Sequence, residues 1–121
     1  MASGTKSKYA DGTDSGWISL ENSTVFTGKV WYRRIGNTVY VNTDSLKLVN
    51  SFTSYSVTLL GNNSLPKPKQ TVTFIGGANS NDRKGMGQIS TNGALSFWRW
   101  GDNSTYPANA NIFLTVTYIV D

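Results

Sequence analysis

The turn Asn92-Gly93 and the residues that flank it restrict this chain more than any other stretch. Asn-Gly between apolar positions marks a tight β-hairpin, because such loops need φ > 0 and these residues tolerate it. The stretch GQISTNGALSFWRWGDN, Gly87 to Asn103, therefore reads as two strands around a turn. A two-residue loop would pair Ser90 with Leu95 and mix apolar with polar side chains on each face. A three-residue loop, Thr91-Asn92-Gly93 with Gly93 left-handed in a G1 bulge, pairs Ile89 with Leu95 instead. Register follows the match of apolar face to core, so the three-residue loop is expected. Ile89, Leu95 and Phe97 then face inward, while Gln88, Ser96, Trp98 and Trp100 face outward.

A second hairpin is equally legible in Lys29 to Thr43, KVWYRRIGNTVYVNT. A Gly36-Asn37 loop pairs Ile35 with Thr38, Arg34 with Val39 and Tyr32 with Val41. Val30, Tyr32, Arg34, Val39 and Val41 make the core face, with the Arg34 head near the turn where it reaches water. Trp31, Arg33, Ile35, Tyr40 and Asn42 make the other face. Its aromatic content predicts cover by a second sheet or a neighbouring subunit ahead of ligand contact.

Further strands are expected at 17–20, 55–60, 71–75 and 111–120, with a short strand or edge segment at 45–49. The 111–120 strand has apolar residues on both faces, which predicts a central position. Leu65-Pro66-Lys67-Pro68 reads as extended connector, since proline lacks a ladder donor. Gly76 to Met86 reads as a long polar loop. No segment shows a capped helical period. Seven to nine short strands separated by Gly, Asn and Ser turns predict an all-β fold, an antiparallel β-sandwich of jelly-roll-like type, with a closed barrel as the alternative. Residues 1–15 read as a flexible linker or cloning remnant, and 16–121 as one β-sandwich module.

Composition narrows the chemistry. The chain of 121 residues has no cysteine and no histidine. Disulfides, thiolate metal sites and imidazole bases are therefore excluded. A hydrolase would have to rely on paired carboxylates, and Asp82 with Asp102 is the one pair placed for it. Acids in polar loops are usually solvated, so no enzyme and no cofactor is expected. The Asn79–Asp82 segment lacks EF-hand spacing, and Gly76-Gly77 lacks the rest of a phosphate loop. No stretch has the length of a membrane span or the form of a signal peptide, so membrane insertion is not expected. Glycosylation sequons at Asn22, Asn62 and Asn103 are expected by chance in so Asn-rich a chain.

Saccharide recognition suits the vocabulary better. A pyranose offers an apolar C–H face to a flat ring and a rim of hydroxyls to amides and acids. Trp98, Arg99, Trp100, Asp102 and Asn103 supply both within six residues. Asp82 and Arg83 from the 79–84 loop and Tyr106 ahead of the last strand complete the candidate site. Single-stranded nucleic acid would use similar side chains. However, eleven Lys and Arg against seven Asp and Glu give a net charge of only +4, spread in small groups. No nucleic-acid partner is expected.

Three segments together carry a family resemblance: Trp31 to Val41 (WYRRIGNTVYV), Leu65-Pro66-Lys67-Pro68, and Gly87 to Leu95 (GQISTNGAL). They resemble a pattern in tail proteins of phages that infect Gram-positive bacteria. In that pattern a YRK-G-N-V-Y hairpin precedes an LP-x-x-x-P segment and a G-x-I-x-I-x-x-x-G-x-L hairpin. The resemblance spans most of Lys29 to Val120. It implies a receptor-binding or accessory carbohydrate-binding module of a baseplate or distal-tail protein. Such a module would bind host cell-wall polysaccharide without catalysis, within the virion and beside other tail proteins. A structural tail domain mediating assembly or trimerisation is the alternative it leaves. The usual LPxGYRP wording is reduced here to Leu65-Pro66-Lys67-Pro68, and a differently shaped loop is expected. The family fixes no binding residues that transfer by motif, so the candidate site rests on the residues themselves. The short linker and absence of heptads favour a lone module over a trimeric head.

Overall fold

The computed structural model describes residues 12–78, 84–99 and 107–120; the side chains of Ala78 and Lys84 are not among them. Nine strands are formed among the described residues: β1 (Ile18–Leu20), β2 (Phe26–Ile35), β3 (Thr38–Leu48), β4 (Ser56–Leu60), β5 (Val72–Ala78), β6 (Lys84–Ile89), β7 (Leu95–Arg99), β8 (Ile112–Phe113) and β9 (Thr115–Ile119). They build two antiparallel sheets, ordered β1-β2-β3-β9 and β4-β7-β6-β5-β8. The protein is an all-β sandwich, with chain crossings between sheets closing its core.

Both hairpins take the register that burial demands. Ile35 pairs with Thr38 and Tyr32 with Val41 in β2–β3, and Ile89 pairs with Leu95 in β6–β7. Gly93 sits at φ +84°. Its N–H donates to Ser90 O at 2.9 Å, and the Ser90 N–H donates to Ala94 O at 3.0 Å. The three-residue G1-bulge loop is therefore formed, because it alone sends Ile89, Leu95 and Phe97 to one face. All three are buried. They meet Val30, Val39 and Val41 of the other sheet in one continuous core.

The long strand β3 absorbs the segment at 45–49. A bulge sets Ser45 and Leu46 together opposite Gly28, so Leu46 and Leu48 return to the core after Val39 and Val41. Gly28 has φ +88°, and a Cβ there would lie 2.2 Å from Ser45 O. No other residue fits that approach.

Two expectations are overturned. Gly76, Gly77, Gly85 and Met86 are strand, not loop; residues 79–83 of the expected loop lie outside the described residues. The glycines misled because inward side chains are replaced by neighbouring rings: a Cβ at Gly87 would lie 2.2 Å from the Phe74 ring, and one at Gly85 2.3 Å from that of Phe97. The 111–120 stretch is also not central. Its two halves, β8 and β9, lie at the edges of different sheets, joined where Leu114 crosses the core. Apolar residues occur on both of its faces because Phe113 and Ile119 are exposed.

Residues 13–15, placed in the linker by sequence, lie against β2. The Ser15 N–H donates to Arg34 O, the Gly36 N–H donates to Thr13 O, and Asp14 bridges to Ile35. This docking positions Trp17, the next aromatic along the chain.

Candidate functional site

Of the eight residues predicted to bind saccharide, only Trp98 and Arg99 fall within the described part of the chain. Trp100, Asp102, Asn103, Asp82, Arg83 and Tyr106 lie outside the described residues. Trp98 is half-buried on the outer face of the second sheet, between Ser56 of β4 and Met86 of β6. Its Nε1–H donates to Ser96 Oγ at 3.0 Å. The ring is thereby tied to the residue two positions back on the same face. Strand alternation turns Arg99 to the opposite face. There its guanidinium lies 5.5 Å from the Tyr55 ring centroid. The two residues do not converge on one ligand position.

A second aromatic surface lies on the outer face of the first sheet. Cross-strand pairing lines up Ser19, Trp31, Asn42 and Thr115 in one row, and Arg33, Tyr40 and Thr117 in the next. Lys29 opposite Asp44 forms the row on the other side of Trp31 and Asn42, just before the bulge. Trp17 leads into β1 and stands beside these rows, 50% exposed. Trp17, Trp31, Asn42, Thr43 and Asp44 enclose an open cleft of about 290 Å³. That volume is near the lower end of small-ligand sites.

The rings are held from outside the cleft. Arg33 places its guanidinium 6.0 Å from the Trp17 ring centroid, and Lys29 its ammonium 5.4 Å from that of Trp31. Each cation has a carboxylate partner. Arg33 donates through Nε and Nη2 to the two Asp14 oxygens, and Lys29 lies 3.8 Å from Glu21. Hydrogen bonding from Arg33, helped by the Gly16 N–H, pulls the Asp14 carboxyl down to about 2. The same hydrogen bond raises the Arg33 pKa further above its ordinary value.

Polar atoms in the cleft divide into used and available. Thr43 Oγ1 donates to Ile112 O at 3.2 Å and accepts from the Leu114 N–H at 3.1 Å. Asn42 Oδ1 accepts from Thr115 Oγ1 at 3.0 Å, which leaves its Nδ2 end as a donor. Asp44 accepts only a long bond from Ser45 Oγ at 3.3 Å among the bonds of the described residues. Two flat rings, an amide donor and a carboxylate acceptor thus border one opening.

Sequence reasoning identified the outer face of Trp31, Arg33 and Tyr40 but expected it to be covered. The missing signal was Trp17, whose approach to Trp31 depends on the 13–16 segment docking along β2. No protein-family model matches the chain, and no curated protein matches it.

Proposed function

We propose that this chain is a non-catalytic adhesion module that binds bacterial cell-wall saccharide, acting at the tail tip or baseplate of a phage. The Trp17–Trp31 cleft with Asn42 and Asp44 is the observation that carries the reading. Indole faces stack on the C–H face of a sugar, and an amide beside a carboxylate reads its hydroxyls with directional bonds. The resemblance of Trp31 to Val41, Leu65 to Pro68 and Gly87 to Leu95 to phage tail modules supports the setting.

The test is binding of a fluorescent fusion to candidate Gram-positive cells. Trp31→Ala and Trp17→Ala should each reduce decoration at least about tenfold, the cost of one well-buried aromatic contact. Melting temperature should move only a few degrees. Decoration that survives both changes would sink this location for the site. Trp98→Ala, assayed in parallel, reports whether the second sheet contributes.

A specific observation favours one other reading, a structural tail domain that assembles through its second sheet. Trp98, Met86 and Ile75 form an outward row across β7, β6 and β5, and Phe113 follows diagonally past Gly77. Ile75 is 73% exposed and Phe113 55%. Exposed apolar runs of this kind mark protein contacts. Ile75→Lys should disrupt co-purification with a tail partner if that reading holds, and should leave cell decoration intact if it does not.

A further inference from the structure

The charge arrangement around the cleft bears on which saccharide it takes, an inference that rests on the saccharide reading above. The whole chain carries +4, which on its own favours anionic partners. Locally the balance differs. Asp44 is the one ionised side chain among the five residues that line the cleft. Neither neighbouring cation is in the lining, and each is matched by an acid, Arg33 by Asp14 and Lys29 by Glu21. A phosphate or uronate entering the cleft would meet the Asp44 carboxylate in its lining, while Lys29 and Arg33 lie outside that lining and already face acids. Like charges at such range oppose binding, more strongly as water is excluded.

The free polar atoms suit an uncharged rim instead. A carboxylate only accepts and an amide N–H only donates, so Asp44 and Asn42 Nδ2 are complementary to two adjacent hydroxyls. One hydroxyl donates to Asp44 while its neighbour accepts from Asn42. Thr43 takes no part, since its hydroxyl is committed to Ile112 and Leu114. We infer that the Trp17–Trp31 cleft selects an uncharged saccharide, gripping a vicinal diol between Asp44 and Asn42 and rejecting glycans that carry phosphate or carboxylate at that sugar.

The experiment is a glycan array holding neutral, uronate-bearing and phosphorylated oligosaccharides, probed with the full chain and its Trp31→Ala and Asp44→Asn variants. Hits that Trp31→Ala removes should be neutral sugars with a free vicinal diol. Their titrated affinity should change less than about twofold between 20 and 500 mM salt, because no ion pair forms with the ligand. Asp44→Asn should weaken those hits about tenfold or more, the loss of one hydrogen bond to a charged group. It should also narrow the gap between neutral and anionic analogues. Indole N–H resonances of Trp17 and Trp31 in the variant report that the cleft is still built.

Hits that depend on Trp31 but carry phosphate or carboxylate, and that weaken with salt, would overturn this selectivity and leave saccharide binding standing. Neutral hits indifferent to Asp44→Asn would overturn the diol grip alone. An array with no hit dependent on Trp31 would overturn both this inference and the saccharide reading beneath it.

Discussion

Asp14 forms no part of the cleft wall, yet the position of Trp17 depends on it. The carboxylate accepts from Arg33 and from the Gly16 N–H, and Arg33 in turn lies against the Trp17 ring. Asp14→Asn should therefore weaken saccharide binding without removing any ligand contact, by about two- to fivefold, the scale of an exposed ion pair. Its pH dependence follows from the lowered carboxyl. An unfolded aspartate titrates near about 4, and the folded one near about 2. A depressed acid contributes above the unfolded value and loses that contribution as pH falls through the folded one. The difference between native protein and Asp14→Asn should be constant from neutral pH down to about 4 and be lost as pH falls through about 2. Trp17 fluorescence against pH, measured for both proteins, checks this. Parallel curves throughout would show that the pair does not hold the ring.

At the scale of elements, the β6–β7 hairpin shows why local turn chemistry and distant packing agree. Gly93 supplies the left-handed residue of the loop, and Leu65 of the Leu-Pro-Lys-Pro segment lies directly over it. The Leu65 N–H donates to Gly93 O at 3.0 Å, and a Cβ at position 93 would lie 2.4 Å from Leu65 O. Gly93→Ala should cost about 2 kcal/mol or more, the sum of a left-handed Cβ and a backbone clash. Chemical denaturation measures it; a change below about 0.5 kcal/mol would mean the loop relaxes freely. The loop length was legible in sequence because only one register buries Ile89 with Leu95. The strand character of Gly76 and Gly85 was not, because Leu114 and Phe97 from other strands fill the places of their missing side chains. Trp98 was legible as outward-facing by alternation. Trp17 was not legible as its counterpart, since its place beside Trp31 depends on contacts of 13–16 that no periodicity reveals.

For the whole molecule, the closing step is where the last strands lock the connector to the sandwich. The chain passes from the second sheet to the first at Leu114, and β9 then brings Tyr118 beneath the Pro66 carbonyl. Its hydroxyl donates to Pro66 O at 2.7 Å, while the ring is 5% exposed. Pro68 and Val120 pair alongside. The prolines remove donors from this stretch, so Tyr118 provides a bond that the connector could not receive from a ladder. Burial of the ring raises the phenol pKa above its ordinary value, with the neighbouring Tyr32 adding and Arg34 opposing. A raised pKa means that the folded state requires the neutral phenol. The contribution is complete below the unfolded value near about 10 and is lost as pH climbs above it. Tyr118→Phe should cost about 1 kcal/mol at neutral pH, from the hydroxyl bond and the carbonyl it leaves bare. Above about pH 10 the variant should lose stability more slowly than the native protein, and the two denaturation curves should converge or cross. If the gap between them stayed fixed from pH 7 to 11, the phenol would ionise as readily in the folded protein as in the unfolded chain, and burial would not hold Tyr118 neutral against the Pro66 carbonyl.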